Sequence, residues 1–137
     1  GGKWILPTVV KNADHSMLVM TDETFGPIIP IMTYTDVNEA IQLANDTRYG
    51  LSAGVLAGDR VEAERIARRL DAGAVSIQDC GVTTYVFDGE KNWFKYSGIG
   101  ASRMGNMGML RFFRKKVLYT QSGETYGIDA MGEQPPS

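Results

Sequence analysis

Residues 36–78 read DVNEAIQLANDTRYGLSAGVLAGDRVEAERIARRLDAGAVSIQ, and one pattern occurs in them twice. Each copy opens on an aspartate, Asp36 or Asp59, with a glutamate three residues on, Glu39 or Glu62. An aspartate there accepts hydrogen bonds from the free N–H groups of a first helical turn, and a glutamate at the third position completes a capping box. Val37, Ala40, Ile41 and Ala44 then share one helical face, as do Ala63, Ile66, Ala67 and Leu70 in the second copy. Gly50 and Gly73 stop the two patterns, and short apolar runs follow at 52–57 and 74–78. With the apolar run 28–34 in front, the order is strand, helix, strand, helix, strand with short joints. That order predicts an α/β fold, a βαβαβ unit of right-handed crossovers on a parallel sheet.

The flanks are less regular. Residues 4–10 have strand composition but carry Pro7, and Pro30 sits inside 28–34, so both strands are expected at edges or bulges. Ser16 is placed to cap a short helix through Met20. Residues 79–100 read as loop, 102–112 as a short helix despite Gly105 and Gly108, and 115–121 as a last strand. Residues 123–137, with glycines, paired prolines and few apolar side chains, read as a poorly ordered tail. The expected division is a partial catalytic-type domain over 1–113, an assembly strand over 114–122 and the tail over 123–137. Three parallel strands and two helices make a thin core, and parallel sheets need both faces covered. The chain is therefore expected to oligomerise or to belong to something larger, and the Gly1-Gly2 start without methionine reads as a processed, tagged or excised chain.

Composition narrows the chemistry. A net charge of −2 gives no electrostatic case for nucleic acid or a membrane surface. No apolar run approaches the roughly 20 residues that span a bilayer, and no stretch resembles a signal peptide. The one cysteine, Cys80, excludes an internal disulfide framework and fits a reducing, cytoplasmic compartment. The one histidine, His15, argues against a His-based metal site and reads as a solvated turn residue. SGIGASRMGNMG lacks the spacing of a phosphate loop, because Arg103 stands where the third glycine belongs. RFFRKK, residues 111–116, mixes basic and aromatic residues as single-strand binders do, but a solvated face beside an interface is the simpler reading in an acidic chain. The turn DETFGP, residues 22–27, puts a carboxylate and an aromatic ring directly before a strand. From the residues alone, that is either a solvated acid with a ring plugging the strand end, or the lining of a binding site.

Six segments in register resemble the NAD(P)-dependent aldehyde dehydrogenases. GKWILPT, residues 2–8, is similar to the family's glycine–aromatic–x–x–Pro–Thr segment, and ETFGP, residues 23–27, to its E-x-F-G-P turn. EAIQLANDTRYGLSAGV, residues 39–55, resembles the block E-A-I-x-x-A-N-x-x-x-Y-G-L-x-A-x-V, and ARRLDAGAVSIQ, residues 67–78, the helix and strand after it. KYSGIG, residues 95–100, resembles K-x-S-G-x-G, and Lys116-Val117 the closing Lys-x-Val. All belong to the C-terminal part of such enzymes.

The resemblance implies oxidation of an aldehyde to a carboxylic acid with NAD or NADP, in a homo-oligomer joined through the terminal strand. It implies that Glu23 accepts hydrogen bonds from the nicotinamide ribose hydroxyls and that Phe25 lies beside the nicotinamide ring. No catalytic residue is expected in this segment. The family's E-L-G-G general-base and G-Q-x-C nucleophile segments are not in the sequence, and neither is its glycine-rich cofactor loop. Cys80 follows the E-x-F-G-P turn whereas the family's nucleophile precedes it, so Cys80 reads as an incidental or packing cysteine. The chain alone is thus expected to be inactive, and cofactor binding by it alone is not expected. Where the family has Pro-Phe-Gly-Gly before K-x-S-G, this chain has Glu90-Lys91-Asn92-Trp93, so no aldehyde preference carries over. Two rivals remain: a non-catalytic interaction module that keeps the fold, and a small doubly wound nucleotide-binding domain, which the lack of a phosphate loop disfavours.

Overall fold

The structure, a computed structural model, describes residues 2–100 and 104–123. Strand β1 (Thr8–Val10) leads through the short helix α1 (Leu18–Thr21) to β2 (Ile28–Pro30), and the two strands pair in parallel with Thr8 opposite Ile28. Helix α2 (Val37–Asn45) then runs to β3 (Tyr49–Gly50) and β4 (Ala53–Val55). Helix α3 (Arg60–Ala67) returns the chain to β5 (Val75–Ile77), parallel to β4 with Ala53 opposite Val75. A short helix α4 (Val82–Tyr85) and β6 (Phe94–Lys95) follow, and β6 lies antiparallel to β3. A 3-10 segment, Asn106–Phe112, closes the sequence of elements.

Mixed α/β structure with parallel pairing is therefore present, but one continuous βαβαβ sheet is not. Strand β2 hydrogen-bonds to β1, whereas β4 and β5 form a separate pair. Val10 stands opposite Pro30, which has no N–H to donate, and beyond it the Ile31 N–H donates to the Val10 carbonyl and the Ala13 N–H to that of Ile31. The 79–100 stretch is less irregular than its composition implies, because it contains α4 and β6. Residues 115–121 are assigned to no strand and are exposed. A strand requires a ladder partner, and none of the described sheets includes these residues. The expected helix over 102–112 is replaced by the 3-10 segment from Asn106, residues 101–103 lying outside those described, as does most of the 123–137 tail.

The core sits between α3 and the β4–β5 pair. Val55, Ala63 and Ala67 are buried, with Ile66, Leu70, Val75 and Ile77 packed around them. Small residues at Ala63 and Ala67 let the helix lie close to the strands. Ile41 is the one buried residue of α2, and it shares a shallow groove with Val55, Ile66 and Leu70. Both helices start as the sequence indicates: Asp36 accepts from the N–H groups of Asn38 and Glu39, and Asp59 from that of Glu62. The glutamates take other main partners: Glu39 accepts chiefly from the Thr35 hydroxyl and N–H, the Asp36 N–H contributing less, and Glu62 pairs with Arg65. Among the described residues no helix is long and apolar enough to cross a membrane.

The glycines expected to end the helices lie beyond them. Helix α2 stops at Asn45 and α3 at Ala67, several residues before Gly50 and Gly73. Gly73 instead permits contact between segments: a Cβ there would overlap the Asn92 carbonyl oxygen. Its N–H donates to the Gly50 carbonyl, so the segment entering β6 can cross the seam between the α3–β5 loop and β3.

Candidate functional site: the turn before the second strand

The turn carrying Glu23 and Phe25 joins α1 to β2 at the end where β1 and β2 both begin. The Asp22 N–H donates to the Leu18 carbonyl and ends α1; the Ile28 N–H donates to the Gly26 carbonyl, and the Thr8 N–H to that of Pro27. Between these fixed points the chain is open. Phe25 is 94% exposed, Glu23 is exposed, and a Cβ on Gly26 would meet nothing within 4 Å. The ring therefore does not plug the strand end. Among the described residues Glu23 has no ion-pair partner, whereas its neighbour Asp22 does: Arg48 Nη2 donates to Asp22 Oδ1 at 2.5 Å.

Beside the turn lies an open polar basin of about 710 Å³, lined by His15, Asp22, Asp46, Arg48, Asp71 and Lys95 among others. Its charges are paired across the fold. His15 Nδ1 lies 2.6 Å from Asp46 Oδ2, so His15 is tied to the end of α2 and not a free turn residue. Lys95 Nζ reaches the Asp71 carboxylate at 3.0 Å and donates to the Asn45 carbonyl at 2.8 Å. The Asn45 side chain donates to the Arg69 carbonyl and accepts from the Asp71 N–H. Asn45, Arg48 and Lys95 thus join α2, β3, the α3–β5 loop and β6. Sequence reasoning gave them no individual role, although Asn45 and Lys95 stand in the two blocks that carry the family resemblance.

The KYSG segment proves to be a clamp. The Tyr96 N–H donates to the Arg48 carbonyl, and Ser97 Oγ accepts from the Gly50 N–H at 3.0 Å. Lys95 holds φ +53°, a left-handed conformation uncommon for a side-chain-bearing residue. Gly98, at φ +155°, lies against the Trp93 ring, so this glycine-rich stretch serves turning and close packing. Ser16 does not cap α1; it donates to the Asp14 carboxylate through its N–H and hydroxyl, and Met17 takes the capping position without a side-chain bond.

Cys80 is exposed just past β5. The Gly81 and Val82 N–H groups both donate to Asp79 Oδ1, holding the Asp79 carboxyl below its ordinary range and shaping the turn around the cysteine. A second cavity, about 220 Å³, is lined by Leu51, Thr83, Thr84, Lys91, Trp93 and Met104 among others, and lies on the loop that departs from the family pattern.

Comparison with known proteins gives one consistent result. The sequence profile of the aldehyde dehydrogenase family matches residues 1–118. A protein of Staphylococcus saprophyticus assigned to the aldehyde dehydrogenases is 37% identical over 118 residues, covering 85% of this chain and 24% of the relative. The structure of PutA from Anabaena variabilis, assigned to the same group, superposes with a TM-score of 0.80 at 52% identity, over 91% of this chain and 27% of PutA. A double mutant of betaine aldehyde dehydrogenase from Staphylococcus aureus, in complex with NAD+, superposes with a TM-score of 0.80 at 34% identity, over 91% of this chain and 24% of that one. The chain spans about a quarter of the length of the relatives it matches.

Proposed function

The chain belongs to the aldehyde dehydrogenase family, and on that premise we propose that it forms the C-terminal, cofactor-positioning part of an enzyme that oxidises an aldehyde to a carboxylic acid. The observation that carries this reading is the exposed carboxylate of Glu23 beside the exposed ring of Phe25 on one turn. A nicotinamide dinucleotide, when bound, accepts the hydride that aldehyde oxidation releases. The residues present fit such a group. A carboxylate is acceptor-only, so Glu23 suits a pair of ribose hydroxyls that must both donate. Its lack of an ion-pair partner among the described residues leaves its charge for them. Phe25 offers a flat face that limits where a neighbouring ring can sit, and small errors of placement cost rate heavily. The proposed division of labour leaves nucleophile and general base to the part of the relatives that this chain does not span. Residues 115–121 are proposed as the assembly strand, in keeping with their exposure.

The test is Glu23→Gln in the full-length protein that carries this chain. Glutamine keeps the size and loses the charge, and a hydrogen bond to a charged group is worth about 1.5–3 kcal/mol. Cofactor use is expected to weaken by about tenfold or more. Unchanged kinetics with both NAD+ and NADP+ would remove the ribose contact. The chain by itself is expected to turn over no aldehyde with either cofactor. Turnover that Cys80→Ala abolishes would instead make Cys80 a nucleophile.

A further inference from the structure

Two ion pairs bracket the segment that precedes the Glu23–Phe25 turn, and both end on one short loop. His15 reaches Asp46, and Asp22 reaches Arg48. Helix α1 has four residues and no buried side chain, so its own packing cannot orient the turn that leaves its C-terminus. The residue immediately before Glu23 is held instead by a side chain from another part of the fold. That residue is held at both ends: the Arg48 guanidinium lies 5.3 Å from the centre of the Tyr49 ring, and the Arg48 carbonyl accepts from the Tyr96 N–H. Asp22 also starts the open stretch, its N–H being the last to bond back into α1.

We propose that Arg48 is a positioning residue for the cofactor turn: it anchors Asp22 to the β3–β6 ribbon and so sets the direction in which Glu23 and Phe25 project. The proposal rests on the ribose reading of Glu23. Arg48 contributes through Asp22 and makes no contact with substrate or cofactor. The chemistry requires a cation with reach; a lysine keeps the charge but loses the planar donor fork that can hold one carboxylate orientation. Both partners are about half exposed, so the tie acts on orientation more than on global stability.

The experiment uses the full-length protein with Arg48→Met, Arg48→Lys, Asp22→Asn, and the exchanged pair Asp22→Arg with Arg48→Asp. Arg48→Met and Asp22→Asn are each expected to raise the KM for cofactor about two- to five-fold, with kcat and the KM for aldehyde little changed. Arg48→Lys is expected to recover part of the loss and the exchanged pair more. Amide hydrogen exchange at Asp22 and Ile28, the bonded amides that flank the turn, measured without cofactor, gives a readout independent of activity. It is expected to quicken in Arg48→Met and to slow again in the exchanged pair. Unchanged exchange and unchanged KM in both single variants would overturn the proposal. So would a uniform loss of kcat and thermal stability that neither Arg48→Lys nor the exchanged pair recovers, since that marks a merely structural arginine. Glu23→Gln separates the two levels: if it is silent while exchange at Asp22 and Ile28 still follows Arg48, the anchor stands and the ribose contact falls.

Discussion

Glu39 shows how one side chain links helix initiation to solution conditions. The Thr35 hydroxyl and then the Thr35 N–H donate to its carboxylate, which holds its pKa below the ordinary glutamate value. A depressed folded-state pKa contributes stability that is fully present above the unfolded value, about 4.3, and is lost as pH falls through the folded one. Glu62, lowered by Arg65, and Asp79, lowered by the Gly81 and Val82 N–H groups, act in the same direction. Stability is therefore expected to decline from about pH 5 downward. Glu39→Gln should flatten that decline while leaving the Asp36 cap in place. Urea midpoints from pH 7 to 3 check it; parallel curves for the two proteins would show that the Thr35 bonds carry no pH dependence. At this scale the sequence was informative where bonding is local. The caps at Asp36 and Asp59 were legible because donor and acceptor lie within one turn. The roles of Asn45, Arg48 and His15 were not, because their partners Arg69, Asp22 and Asp46 are remote in the chain.

Between elements, the crossing of the α3–β5 loop by the segment entering β6 depends on one missing methyl group. A Cβ at Gly73 would overlap the Asn92 carbonyl, a backbone atom that cannot rotate away. Gly73→Ala is expected to lift residues 92–95 from β3 and to cost about 1–3 kcal/mol, the usual range for overpacking. Denaturant unfolding gives the magnitude, and loss of the Tyr49–Lys95 pairing in amide exchange gives the location. A neutral substitution would mean the seam is looser than its geometry. Element types were largely readable from periodicity: both long helices and the parallel β4–β5 pair appear, and the short helix expected through Met20 appears as α1, without the Ser16 cap. Sheet membership was not readable. Residues 28–34 look like a third strand beside 52–57, yet β2 takes β1 as its partner, and nothing local in IIPIMTY specifies which neighbour it takes. The brief β6 was hidden in 79–100 because two residues carry no period.

Over the whole molecule, apolar surface outweighs apolar core. Only Ala13, Ile41, Val55, Ala63 and Ala67 are buried hydrophobic residues among those described, while Trp4, Leu6, Ile99, Leu118 and Tyr119 stand more than 70% exposed. Exposed apolar side chains in this number, with residues 115–120 exposed and assigned to no strand, are expected to draw chains together. Light scattering at micromolar concentration should show dimers or larger species, and a well-folded monomer would contradict the expectation. Leu118→Pro, which removes one backbone donor, should weaken association and spare the α3–β4–β5 core. The ribbon that anchors Arg48 also has a consequence for the order of assembly. The β4–β5 pair closes over a single helix, a short loop that forms readily, whereas Gly50 meets Phe94 only after everything between them has been made. As the chain leaves the ribosome, the turn at Glu23 emerges before the ribbon that steadies Arg48, which closes only once Phe94 and Lys95 have followed.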